Sequence, residues 1–199
     1  MFTFKNFNIA DWFSFYRIAA VPLLFFFIWM DARLIFTIFL FISFITDAID
    51  GFLARKLNIT SARGSQLDSM GDQITLLMGV FGLYFFEREF ILENYLLLLI
   101  VFIPYGIQML TAFFKYGKAT AFHTYLAKFS ALLQAVFVIW LLYFGPVYWL
   151  FYFMLAIGVL ETIEEVTLIF MYDTWVDGVK GIYWAIRDKR RLKKQDNKS

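Results

Sequence analysis

The sequence predicts an all-α, polytopic integral membrane protein with six transmembrane helices and an interfacial segment at each end. Three observations carry that expectation. Hydrophobic residues fill 61% of the 199 positions against 17% charged, with a mean hydropathy of +0.68, far more apolar than a soluble domain. The apolar residues fall into six stretches, each near the roughly 20 residues that a helix needs to cross a bilayer. Lys and Arg gather in alternate connections, which is the mark of a fixed membrane topology.

Residues 1–11 alternate Phe2, Phe4 and Phe7 with polar positions, which suits a short segment lying on the headgroups, or equally one packing into the core. The six expected spans are 12–30, 33–54, 66–86, 91–113, 125–144 and 147–171, together forming a transmembrane region over 12–171. Short connections at 30–33, 87–89 and 145–146 lie on one side. Longer ones at 55–66 and 115–124 lie on the other. From Trp175 the tail mixes Tyr183 and Trp184 with basic residues, so 172–199 reads as an interfacial helix followed by a basic end. The whole of 1–199 is expected to be a single membrane domain.

An even number of spans puts both termini on the side that holds Lys5, Arg55, Lys56, Arg63, Lys115, Lys118 and the tail's cations. The opposite side keeps only Arg33 and Arg88. By the positive-inside rule, both termini and the 55–66 connection face the cytoplasm; the membrane is expected to be a bacterial or archaeal cell membrane. No Cys is present, which excludes a disulfide framework and a thiolate metal site. The N-terminus lacks a basic region followed by a small-residue cleavage site, so no signal peptide is expected. Nor is a nucleic-acid partner.

Against this apolar background stand Asp47, Asp50, Asp68 and Asp72. Each Asp near a helix centre costs about 2.5 to 3.5 kcal/mol on insertion scales, so the set needs compensation. Spacings of three and four put each pair on one helix face. Gly51 and Arg55 continue the Asp47 stripe, Ala54 stands four beyond Asp50, and Gly64 stands four before Asp68. Carboxylates flanked by small residues offer hard oxygen ligands suited to Mg²⁺ or Mn²⁺, with room for substrate phosphates. Two such ions would neutralise the four charges. A cation transporter with an acidic intramembrane site is the non-enzyme alternative.

Written as D-x2-D-G-x2-A-R-x8-G-x3-D-x3-D, the pattern resembles the CDP-alcohol phosphotransferase (CDP-alcohol phosphatidyltransferase) family of integral membrane enzymes. Asn8, Asp11, Ser14, Arg17 and Pro22 are similar to that family's N-x2-N-x2-T-x2-R-x4-P start, with Asp and Ser substituted. The resemblance covers about residues 8–130. It implies phospholipid biosynthesis: transfer of a phosphatidyl group from CDP-diacylglycerol to the hydroxyl of a small polar alcohol or alcohol phosphate, with release of CMP. It further implies Asp47, Asp50, Asp68 and Asp72 as ligands of two Mg²⁺ or Mn²⁺ ions, with Asp72 also the catalytic base. Asn8, Ser14, Gly51, Ala54, Arg55 and Gly64 match positions around the CDP moiety, and the family implies a homodimer among membrane lipids.

Glycerol 3-phosphate is the leading acceptor; inositol or its phosphate, and less readily serine, are alternatives. Arg63, Lys118, His123 and Lys128 are the candidates for holding an anionic acceptor, each equally explained by topology. Glycerol-phosphate-specific members look like G-K-x-K-T where this chain has Gly117-Lys118-Ala119-Thr120. His123 is the only His, so a His-based metal site is excluded. Glu161, Glu164 and Glu165 in the last span are read as pairing with Lys128 and Arg17, with a role in the acceptor pocket as the alternative.

Overall fold

The computed structural model describes residues 9–57, 62–120 and 122–196, with side chains from Trp12 onward except at 48, 50–57, 62–70, 72, 73 and 190–196. These residues form eight helices: α1 (Ile9–Trp29), α2 (Arg33–Leu57), α3 (Ala62–Phe86), α4 (Arg88–Glu93), α5 (Tyr95–Tyr116), α6 (Tyr125–Phe144), α7 (Tyr148–Met171) and α8 (Ile182–Asp196). No strand occurs among them. Six are 20 to 25 residues long and fall on the six expected intervals. By length and composition alone, Trp12–Trp29, Tyr95–Tyr116 and Tyr125–Phe144 can cross a membrane, and α3 carries a shorter apolar stretch, Ile74–Phe86. The protein is thus an all-α membrane protein.

Two compact units result, one made of Met1–Glu93 with Val138–Pro146, the other of Asn94–Phe137 with Val147–Ser199. In the first unit α1 packs on both α2 and α3, which also pack on each other. Leu24, Phe36, Leu40, Met78 and Leu141 are buried there. Gly82 permits the close approach of α3 to α2, because a Cβ at that position would stand 2.2 Å from Phe36 Cε1. At the far end Arg33 pairs with Glu87, and its guanidinium donates to the carbonyls of Leu142 at 2.6 Å and Leu141 at 3.0 Å in the last turn of α6. Carbonyls near a helix end run short of backbone donors; Leu141 O also accepts the Gly145 N–H at 3.1 Å. Large apolar side chains such as Phe25, Phe41, Ile45, Leu77 and Phe81 face outward, as a lipid solvent favours.

In the second unit α5 packs on α7, and α7 on α8. Its core joins Ala112, Phe122, Leu168, Ile169, Val179 and Ala185. Thr124 caps α6, accepting the Ala127 N–H at 3.0 Å.

Three boundaries differ from expectation. Helix α2 runs on to Leu57 and α3 begins at Ala62, so the connection is far shorter than 55–66. The helix continues through Ala54 and Arg55, where charge alone suggested a loop. Asn94 separates α4 from α5 where one span from 91 was expected. The tail helix starts at Ile182 rather than near Trp175, because Gly178 (φ +73°) and Gly181 (φ +148°) hold a backbone that a right-handed helix cannot include.

Candidate active site

The acidic motif is divided between two consecutive helices. Asp47, Asp50, Gly51, Ala54 and Arg55 lie on the last turns of α2, and Gly64, Asp68 and Asp72 on the first turns of α3. Asp47 stands ten residues before Leu57, and Asp72 ten residues after Ala62. At 1.5 Å rise per residue both are about 15 Å along their helices from the connection. Asp50 and Asp68 stand about 10 Å from it. The two helices pack together, so the four positions form two matched levels. Of the four, only the Asp47 side chain is among the described ones.

That side chain meets a partner from α1. Arg17, 1% exposed, donates from Nη1 to Asp47 Oδ1 at 2.5 Å and from Nη2 to Ser14 Oγ at 3.5 Å. Its guanidinium also lies against the α3 backbone: a Cβ on Gly71 would stand 3.1 Å from Arg17 Cζ and Nε. Gly71 immediately precedes Asp72. One buried cation of α1 therefore touches both helices that carry the acidic motif. Asp47 keeps a half-exposed side chain beside it.

The donor set suits a hard divalent cation. It consists of carboxylates alone, paired by level on adjacent helices, and Asp47 already draws a full positive charge to hydrogen-bonding distance. Asp47, Asp50, Asp68 and Asp72 are the residues that would hold such ions.

The remaining expected site residues are placed as follows. Ser14 is buried and accepts from Arg17, while Asn8 lies outside the described residues. Arg63 belongs to the first turn of α3, its side chain outside the described ones. Lys118 Nζ sits 3.5 Å from the Trp175 ring centroid, a close cation–π contact. His123 is exposed in the connection to α6 at φ +54°, and Lys128 is exposed on α6 with its Nζ 6.0 Å from the Tyr125 ring centroid. Lys118, His123 and Lys128 thus cluster in sequence around the start of α6.

The expected pairing of the α7 glutamates with Arg17 and Lys128 is corrected. Arg17 is bonded to Asp47, and among the described residues no cation pairs with Glu161, Glu164 or Glu165. Glu165 instead accepts from Thr120 Oγ1 at 2.7 Å and Gln108 Nε2 at 2.9 Å, and Glu164 accepts the Ile182 N–H at the start of α8. Neutral donors close to hand meet Glu165 and one oxygen of Glu164, whose Oε2 is buried without a hydrogen-bond partner among the described residues, and the helix N-terminus favours the negative charge of Glu164. Sequence reading missed Thr120 and Gln108 because it sought charged partners only.

The family model described as CDP-alcohol phosphatidyltransferase matches residues 7–164, which include the whole acidic motif. Three curated relatives carry the name CDP-diacylglycerol--glycerol-3-phosphate 3-phosphatidyltransferase. The one from Wigglesworthia glossinidia brevipalpis is 34% identical over 76 residues, 37% of this chain and 42% of the relative. That from Rickettsia bellii (strain RML369-C) is 30% identical over 70 residues, 34% and 39% of the two chains. That from Blochmanniella floridana is 38% identical over 74 residues, 36% and 39%. The matches therefore span about two-fifths of the length of these relatives. No solved structure matches the chain.

Proposed function

Because the chain belongs to the CDP-alcohol phosphatidyltransferase family, we propose that it is a membrane transferase that moves a phosphatidyl group from CDP-diacylglycerol to glycerol 3-phosphate, releasing CMP. The observation that carries this reading is the pairing of the acidic positions at two levels of α2 and α3, locked to α1 through Arg17. The names of the relatives support the acceptor.

In this reading Asp47, Asp50, Asp68 and Asp72 hold two Mg²⁺ or Mn²⁺ ions, which supply charge neutralisation for the donor diphosphate. Asp72 also takes the proton of the acceptor hydroxyl. The freed oxygen bonds to the phosphorus that bears diacylglycerol, and the bond from that phosphorus to the bridging oxygen breaks, leaving with CMP. Gly51, Ala54 and Gly64 leave room for the donor's CDP moiety, and Arg55, Asn8 and Ser14 border it. Arg63, Lys118, His123 and Lys128 supply positive charge for the acceptor phosphate.

The reading extends to a homodimer, as the family resemblance implies, of six-span subunits with both termini and the site facing the cytoplasm, an orientation supported by the distribution of Lys and Arg. That orientation leaves acyl chains in lipid and admits a water-soluble acceptor. The test is an acceptor panel: purified protein, CDP-diacylglycerol, Mg²⁺ or Mn²⁺, and glycerol 3-phosphate, inositol, inositol phosphate or serine. CMP and phosphatidylglycerol phosphate should form together with glycerol 3-phosphate. Product with another alcohol alone overturns the acceptor, and no CMP with any acceptor overturns the reaction.

A further inference from the structure

The connection between α5 and α6 is built more firmly than a loop of its length requires. Gly117 closes α5 in the left-handed conformation, its N–H bonded to Phe113 O. Phe122 is 1% exposed within the core of its unit, and the Trp175 indole N–H donates to Ala119 O at 3.0 Å. Beneath it lies a polar triad of two buried residues and the half-buried Thr120. Gln108 on α5 (2% exposed) and Thr120 of the connection both donate to one oxygen of Glu165 on α7 (8% exposed), and Gln108 Nε2 also reaches Thr120 Oγ1 at 3.4 Å.

Burying a carboxylate against neutral donors costs desolvation that an apolar residue at position 165 would avoid. What such a network supplies is one defined geometry, since a displaced donor leaves the carboxylate unsatisfied. Lys118 and His123 stand on either side of Thr120 in the chain, and both are exposed. Pinning Thr120 fixes the backbone that presents them.

From this geometry we infer that Glu165 is a positioning residue: through Thr120 it holds the Lys118–His123 segment in the arrangement that receives an anionic acceptor. The inference rests on the proposed reaction and adds a buried determinant of acceptor recognition with no acceptor contact of its own. Thr120→Val removes the loop's donor to Glu165 and the long contact from Gln108, and leaves α7 and the Gln108–Glu165 bond in place. Glu165→Leu removes the hub, and Glu165→Gln keeps an oxygen for Thr120.

Two measurements on the full-length protein in detergent or nanodiscs test it. Hydrogen exchange of amides 118–124 reads the loop without any turnover. It should quicken about tenfold in Thr120→Val and Glu165→Leu and stay near wild type in Glu165→Gln, as loss of one bond to a charged group implies. Steady-state kinetics should show KM for glycerol 3-phosphate up about tenfold in the first two, with kcat and KM for CDP-diacylglycerol within about twofold. Unchanged exchange in Thr120→Val overturns the anchoring. Faster exchange with an unchanged acceptor KM overturns the positioning role. A wild type that uses no anionic acceptor overturns the functional reading and the positioning role with it, whereas the exchange result stands by itself.

Discussion

Arg17 on α1 and Asp47 on α2 form a 2.5 Å ion pair in which the cation is enclosed and the carboxylate is half-exposed. The asymmetry sets its energetics. Removing the Asp47 charge would leave a buried guanidinium without this partner, whereas removing Arg17 leaves a carboxylate that the protein only half encloses. Asp47→Asn should therefore destabilise more than Arg17→Gln, by about 1 to 3 kcal/mol against about 1. A double-mutant cycle followed by thermal unfolding should show coupling above about 0.5 kcal/mol. Additive effects would mean that the contact is not an energetic link between α1 and α2.

Gly71 carries the complementary constraint on α3. A methyl at this position would meet the guanidinium at 3.1 Å, with Arg17 enclosed and held by Asp47. Gly71→Ala should cost about 1 kcal/mol and Gly71→Val more, because overpacking at a closed junction forces the helices apart. The measurement is the unfolding temperature in detergent. Combining Gly71→Val with Arg17→Ala, which empties the space, should recover part of the loss. No recovery would place the strain somewhere other than against Arg17.

How far the sequence carries the fold depends on punctuation. Helix α6 spans the expected 125–144 because Thr124 caps it and Gly145-Pro146 ends it, signals that are local and strong. The α2–α3 connection was misjudged because polar residues on a helical face look like a loop when hydropathy is the guide. Within the site, spacing alone put the four Asp on two helices, but it could not say which carboxylate Arg17 would meet. That depends on how α1 docks, and the cue of Gly71, an unobstructed stretch of α3, is legible only after the helices are packed. The Glu165 partners show the same limit: Gln108 and Thr120 are neutral and 45 to 57 positions away in the chain.

Metal binding should be visible without turnover. A ligand bound only by the folded state at a hundred times its dissociation constant adds about 2.7 kcal/mol of stability. Mg²⁺ or Mn²⁺ should raise the unfolding temperature of the wild type, chelator should reverse it, and Asp68→Asn should shrink the shift. A wild type indifferent to both ions would remove them from the site.

Topology offers an independent check on the span assignment. The chain has no cysteine, so single introduced thiols report cleanly. Thiols replacing Ser199 and Ser61 should react only with reagent that reaches the cytoplasm, and one replacing Glu89 should react from outside. Glu89 is exposed on α4 and suits such labelling. Finding Ser61 and Glu89 on one side would eliminate the six-span arrangement.

The proposed roles of Asp47 and Asp72 differ even though their levels on the two helices match. If Asp72 accepts the acceptor's proton as well as holding metal, Asp72→Asn keeps side-chain volume and one coordinating oxygen while losing the base. General-base removal costs about 10² to 10⁴ in rate. Asp72→Asn should therefore bind CDP-diacylglycerol nearly normally yet release CMP at least about a hundredfold more slowly. Asp47→Asn should weaken donor binding and metal-dependent stabilisation together with turnover, because that carboxylate also anchors Arg17. Donor binding measured separately from CMP release distinguishes the two patterns. Near-normal turnover in Asp72→Asn would move the base elsewhere, with exposed His123 the next residue to replace.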